Sequence, residues 1–377
     1  MRIKFGELRI GDIARRNLQR VMDTDWASEG PLVAEFERKW SGHFGYAHSV
    51  SMSSGTDADI NACLSLYDFG AVPGDEIICP ALTFIATVNS IVLAGFTPRF
   101  ADIDRNTLNI DPSHAESLVT PRTRAVMVTH TMGKPCEMDR IVPWARAKGL
   151  KVLEDCCEAH GALYKGTRVG KWGDVGMFSF YTAHLVVCGE GGMCSTDDPV
   201  MASLLRSTRS HGRKPGTIFF DHLRLGLNSK MNDLEAAVGL EGLENFDKTW
   251  NTRRGYKAQL NALLSDLEDV FILPKENPGE VVSPHAYPLV FREDNEERYW
   301  KFYKYLEDSG IQTKTLFASV PTQQKAYAKY GYVMGQFPEA EYVGRNGLHF
   351  GIHQYLVPAD IEFISERIHA FVNEGNT

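Results

Sequence analysis

Between about residue 47 and residue 200, short β-branched runs alternate with stretches of helical period. HSVSM is followed by GTDADINACLSLYDFG and DEIICPA by TFIATVNSIVLAG. TPRFADI and RAVMVTH precede DRIVPWARAKG, and KVLEDCC follows. Two parallel strands need a long crossover, which a helix supplies, so this rhythm predicts βαβ units. Runs that are apolar on both faces predict a mostly parallel central sheet with helices on both faces, an α/β fold. DVGMFSFY and GGMCSTD read as two further strands flanking a loop that contains His184. The ligand crevice of such a sheet lies beyond the carboxyl ends of its strands, so motifs there carry the most weight.

At 377 residues the chain is longer than one compact core usually supports. The expected division is a large domain over 1–245 and a smaller C-terminal α/β domain over 246–377, with the docking of the N-terminal segment on the smaller one left open. From Asn232, NDLEAAVGLEGLENFDKTWNTRRGYKAQLNALLSDL is helical in period and free of proline, which reads as one or two helices bridging the two parts. SPHAYPLVFRE reads as a strand of the smaller part and PADIEFISERIHAFVNEG as a C-terminal helix.

A net charge of −8 argues against nucleic acid as the main partner, because phosphate backbones select basic faces. The most apolar stretch, TVNSIVLAGF, is short and interrupted by Asn89, Ser90 and Gly95, so no membrane span is expected. MRIKFGELRIGDIARR lacks the apolar core of a secretory signal, which makes the cytoplasm the expected compartment. Seven scattered cysteines do not form a disulfide framework. Cys156 and Cys157 are adjacent rather than spaced as ligands, and no metal site is expected.

Two strand ends carry chemistry. Ser53-Ser54-Gly55-Thr56-Asp57-Ala58 lies between a strand and a helix. A helix N-terminus offers unsatisfied N–H groups to a phosphate, Gly55 lets the backbone come close, and the Ser54 and Thr56 hydroxyls can add hydrogen bonds. The same residues would serve equally as an ordinary N-cap. In KVLEDCCEAHGALY, Glu154 and Asp155 end an apolar run, and a carboxylate there points into the crevice. Asp155 suits a protonated heteroaromatic nitrogen, the arrangement that makes a pyridine ring an electron sink. A helix cap or a structural ion pair would explain it as well.

Taken together, SGTDA, PALTFIATVNSIVLAGFTPRFADID, EDCCEAHGALYKG, FSFYTAH…GEGG and GLNSKMNDLEAAVGL resemble the DegT/DnrJ/EryC1/StrS family in motif order over nearly the whole chain. That resemblance implies a fold-type I, pyridoxal-phosphate-dependent transferase fold and a role in nucleotide-sugar biosynthesis. It implies that Gly55, Thr56 and Ser179 hold the cofactor phosphate and that Phe84 stacks on the pyridine ring. Asp155 would pair with the ring nitrogen and Glu158 would sit beside the ring hydroxyl. Asn228 would reach the phosphate of a neighbouring subunit, which makes the expected assembly a homodimer with shared sites.

The family's aminotransferases carry at position 184 the lysine that bonds the cofactor covalently. Here the residue is His184. A histidine at this position resembles the family's sugar 3-dehydratase branch, which includes GDP-4-keto-6-deoxymannose 3-dehydratase. HTMGKP at 130–135 and GIQTKTLFASVPTQQKAY at 310–327 are similar to that branch, whereas SGTDA, Phe84 and Leu185 depart from it.

The implied reaction removes the C3 hydroxyl of a nucleotide-linked 4-keto-6-deoxy sugar. Pyridoxal or pyridoxamine phosphate would be bound non-covalently and no iron–sulfur cluster would be present. His184, with an ordinary pKa of about 6.5, would act as the base, Asp155 would keep the ring protonated, and a donor such as glutamate would restore the amine form. The rivals are an aminotransferase using a relocated lysine, with Lys165 and Lys171 nearest in sequence, and a non-catalytic regulatory homologue. His160, His211 and His285 are expected to line the site or to be structural.

Overall fold

The computed structural model describes residues 1–216 and 220–374. Two helices open the chain, α1 (Asp12–Thr24) and α2 (Pro31–Phe44). Seven strands then form the large sheet: β1 (His48–Met52), β2 (Glu76–Pro80), β3 (Thr97–Ala101), β4 (Thr123–Thr129), β5 (Lys151–Asp155), β6 (Val175–Ser179) and β7 (Gly192–Thr196). Their spatial order is β1-β7-β6-β5-β4-β2-β3. β6, β5, β4, β2 and β3 run parallel to one another. Only β7 reverses, pairing antiparallel with β1 and with β6. The expected mostly parallel sheet is therefore present, and the two strands flanking His184 are the neighbours β6 and β7.

Burial explains the strand composition. β2 and β4 are buried along nearly their whole length, which suits apolar and β-branched runs such as EIICP and TRAVMVT. Between them run α3 (Gly55–Ser65), α4 (Ile85–Leu93) and α5 (Met138–Ala147). On one face of the sheet, Trp40 of α2 is fully buried among Phe36, Phe44, Phe178 and Phe180, and its indole N–H donates to Ser195 Oγ at 3.1 Å. Truncating an aromatic packed in this way costs about 3–5 kcal/mol.

The long helical stretch from Asn232 breaks into α6 (Asp233–Glu244) and α7 (Phe246–Leu263). Asn232 and Glu235 form a capping box that starts α6, each side chain taking the other residue's backbone N–H. Four further strands build a second sheet: β8 (Phe271–Ile272), β9 (Tyr287–Phe291), β10 (Thr313–Thr315) and β11 (Gly347–Phe350), in the order β8-β9-β11-β10. The final helix, α8 (Pro358–Glu374), covers this sheet through Ile361, Ile364 and Ile368. The N-terminal segment joins the same core: Ile3 is fully buried and its carbonyl accepts the amide of Gln312 at 2.8 Å. Phe5 follows, its amide held by Gln312 Oε1 at 2.8 Å. None of the described helices is long and apolar enough to cross a membrane.

Candidate active site

A cavity of about 770 Å³ opens where β4, β5 and β6 end, between the large sheet and the second one. That volume suits a small-molecule ligand with room to spare. Of the residues expected at the site, Ser54, Gly55, Thr56, Phe84, Asp155, Glu158, Ser179 and His184 all line it. A second hollow, beside Arg105 and Lys134, holds only about 30 Å³.

Ser54 is the N-cap of α3, its hydroxyl accepting the Asp57 amide at 3.0 Å. The cap and the cradle are thus the same structure, and the next amides of the helix stay available for an anion. Gly55 is required sterically. A Cβ there would lie 2.5 Å from the Cβ of Ser179, because the helix start abuts the end of β6.

Asp155 and Glu154 show how strand alternation sorts two adjacent acids. Glu154 turns away from the cavity and is fully buried, taking the amides of Gly170 and Gly173 at 2.8 and 2.6 Å and facing His130 Nε2 at 3.1 Å. Asp155 lines the cavity at 5% exposure. The Thr87 hydroxyl donates to it at 2.7 Å and the Cys157 amide at 3.1 Å. Thr87 is held by Thr83, which also meets Thr129, so a row of hydroxyls fixes this carboxylate.

Asp59, one turn along α3, also lines the cavity and is 1% exposed. Its Oδ1 has no hydrogen-bond partner. Burial, and then the charge of Asp155, pushes its pKa well above the usual carboxylate range. Asp59, Asp155 and Cys157 each present a polar atom within 4.8 Å of the others. Asp59 is therefore the carboxyl of this pair that favours its neutral form.

Glu158 accepts the Met132 amide at 2.7 Å through Oε2. Burial pushes its pKa up to about 8, against the pull of that amide. It is therefore largely a neutral acid at pH 7.

His184 sits in the β6–β7 loop. Its amide donates to the Tyr181 carbonyl at 2.9 Å, and its carbonyl accepts from Arg253 Nη2 at 2.9 Å. Arg253 is 1% exposed and also serves the carbonyls of Ala183 and His285 and the Gln354 side chain, so one guanidinium pins the loop to the second sheet's approach. The His184 ring is buried and its Nδ1 has no partner. Its centroid lies 4.8 Å from that of His285 and 5.7 Å from that of His160. Burial first, and then the Arg253 charge, lowers its pKa to about 3. The expectation of a side chain poised near neutral pH is corrected here. His184 is a neutral imidazole through the ordinary pH range because burial first, and then the cation beside it, oppose a second positive charge.

The remaining candidates divide. His285 lines the cavity. His160 backs it, packed among Trp40, Phe178 and Phe180. His211 lies outside it, in a loop at φ 60°. Phe84 is 57% exposed at the cavity wall, its ring 5.9 Å from that of Phe317. Asn228 does not line its own chain's cavity; it is exposed, and its Oδ1 accepts from Lys230 at 2.5 Å. Lys165 and Lys171 are not brought to the site either. They are engaged with Asp139 and Asp197, at 2.5 and 2.8 Å.

The lysine among the described residues that does line the cavity is Lys314, on β10 beside His349, with its ammonium 4.8 Å from the centre of the Phe5 ring. Lys314, His349 and Asp59 were not foreseen. An acid one turn beyond the cradle, on a helix of mostly small and apolar residues, is a signal that could have exposed Asp59. Lys314 and His349 arrive through strand pairing, which has no local signature.

Residues 9–369 match the DegT/DnrJ/EryC1/StrS aminotransferase family. The chain is 32% identical to the GDP-perosamine synthase of Caulobacter vibrioides over 96% of both chains. It is 32% identical to the dTDP-3-amino-3,6-dideoxy-alpha-D-galactopyranose transaminase of Aneurinibacillus thermoaerophilus over 94% of both. The crystal structure of DesV from S. venezuelae, in complex with a ketimine intermediate, superposes with a TM-score of 0.90 at 29% identity, covering 98% of each chain. The chain belongs to this family, with its fold-type I architecture and its pyridoxal or pyridoxamine phosphate cofactor.

Proposed function

We propose that this member of the family removes the C3 hydroxyl of a nucleotide-linked 4-keto-6-deoxy sugar, with its cofactor held non-covalently and His184 as the base. One observation carries the reading: the loop that faces the cavity between β6 and β7 presents a neutral imidazole with a free Nδ1, where the family's aminotransferases present a lysine amine.

The residues present fit the cofactor. The Gly55 cradle, too tight for a Cβ, leaves the first amides of α3 and the hydroxyls of Ser54, Thr56 and Ser179 for its phosphate. Asp155, already oriented by Thr87, would take the ring nitrogen, Glu158 the ring hydroxyl, and Phe84 the ring face. Bound there, the cofactor supplies an electron sink for the carbon next to its ring. His184 accepts the proton released at that carbon, and a neutral imidazole is the form that can do so. Asp155, oriented by the Thr87 hydroxyl and the Cys157 amide, would hold the ring-nitrogen proton in place. Asn228, exposed and outside its own cavity, is assigned to the neighbouring subunit's phosphate in a homodimer. We place a cofactor domain over 1–245 and a second domain over 246–377, a division supported by the presence of two separate main sheets.

A second reading, transamination with a donor such as glutamate, is favoured by the names of the relatives, which are synthases and transaminases of amino sugars. It needs an amine at the site, and Lys314 is the amine the cavity offers. Borohydride treatment of the pyridoxal-phosphate form, followed by intact-mass measurement, separates them. The first reading expects no adduct, and an adduct on Lys314 would transfer the assignment to the second.

A further inference from the structure

His184 is not alone in the cavity. His285 also lines it, with ring centroids 4.8 Å apart and planes at 39°. Both rings are buried, and each leaves its Nδ1 without a hydrogen-bond partner. On its other side, His285 Nε2 lies 4.0 Å from Glu158 Oε1, the oxygen that Met132 does not use. Three side chains that can each carry a proton therefore line one wall in the order His184, His285, Glu158. The other groups around His285 are His160, His349 and Arg253, whose guanidinium takes the His285 carbonyl at 3.0 Å and so fixes the backbone from which the ring projects.

We propose that His285 is a second proton-carrying residue of the site, relaying protons between His184 and Glu158. An imidazole suits this role because it can accept a proton at one nitrogen while releasing one from the other. The neutral Glu158 acid gives its proton to His285 Nε2 as His285 Nδ1 gives one to His184, and the reverse transfer returns a proton from His184 to the carboxylate so formed. One proton enters and one leaves, no charge accumulates on His285 and no electrons move. The 4.0 Å gap to Glu158 exceeds a hydrogen bond by about 1 Å and neither Nδ1 has a partner, so both transfers take a side-chain adjustment or a bridging water when a ligand fills the cavity. Burial supports the role: it raises the pKa of Glu158 to about 8 and lowers that of His285 well below normal, so the acid end and the neutral relay coexist near pH 7. The relay rests on His184 acting as the base, as proposed above.

The test does not require the sugar substrate. In deuterium oxide, loss of the methylene proton signal of bound pyridoxamine phosphate reports proton removal at the reacting carbon. H285A is expected to slow this exchange by about tenfold or more, within the range for one acid–base group, with added imidazole restoring it and cofactor affinity unchanged. Exchange at the unaltered rate in H285A, or a slowed rate that imidazole does not restore, overturns the relay. A second readout uses the cofactor-free protein: ¹⁵N spectra of its histidine side chains, in which E158Q is expected to change the tautomer signals of His285. Unchanged signals overturn the relay even if H285A does not fold. If H184N exchanges as fast as the unaltered enzyme, it is the assignment of the base that fails, a result distinct from a silent H285A with an inactive H184N.

Discussion

Acidification gives a stability change that can be worked out from the site. His160, His184, His285, His349 and His353 are between 0% and 8% exposed, and burial is the largest cause lowering the pKa of each. In the unfolded chain the same side chains titrate near the usual value of about 6.5. A group with a depressed native pKa is protonated in the unfolded state first, so stability is retained above about pH 6.5 and lost as pH falls below it. Between roughly pH 7.5 and 5.5, each such histidine costs on the order of 1 kcal/mol, and the five together several kcal/mol. Glu158 opposes this. With a native pKa of about 8 it takes up its proton in the folded state over the same interval, returning on the order of 2 kcal/mol, and Asp59, its pKa also raised by burial, acts in the same direction. The net expectation is a loss of a few kcal/mol, on the order of one histidine's share or more. Urea unfolding of the cofactor-free protein at the two pH values, followed by circular dichroism, measures it. E158Q should enlarge the loss by on the order of 2 kcal/mol, and H184N should reduce it by on the order of 1 kcal/mol. A stability that is flat across the interval in the unaltered protein, or unmoved by E158Q, would refute the neutral-imidazole description of the site.

Three other outcomes follow from the same geometry. H184K places an amine where His184 now stands and is expected to yield a borohydride-stable cofactor adduct at residue 184 by peptide mass mapping. G55A puts a methyl group 2.5 Å from the Ser179 Cβ, so it should weaken pyridoxal phosphate binding by about tenfold or more, seen in an absorbance titration, with the circular dichroism spectrum retained. R253M leaves the carbonyls of Ala183, His184 and His285 without their shared donor and should cost at least about 3 kcal/mol in urea unfolding.

Most of the sheet was legible because its signals are local. EIICP, TRAVMVT and KVLED are buried strands whose composition states their environment, and the cradle announces itself as a glycine at a helix start. The break between α6 and α7 at Asn245 was not decided by the pattern, since the helical period runs through it. What the site adds to those motifs is long-range. Lys314 and His349 come from strands of the second sheet, Phe5 from the N-terminal segment, and Arg253 from α7, and no spacing in the chain announces that they meet. The same distance effect governs chemistry as well as place. The residue at 184 could be named from its neighbours, but its basicity is set by burial and by a guanidinium 69 positions away.

The most direct measurement is the mass of the product. The protein would be incubated with pyridoxamine phosphate, glutamate and a set of nucleotide-linked 4-keto-6-deoxy sugars, and the nucleotide sugar recovered and weighed. His184 acting as a base on a non-covalently held cofactor predicts that one of these sugars loses the mass of its C3 hydroxyl as water, and that H184N abolishes the loss. A product that instead gains an amine, and retains its C3 oxygen, would contradict it.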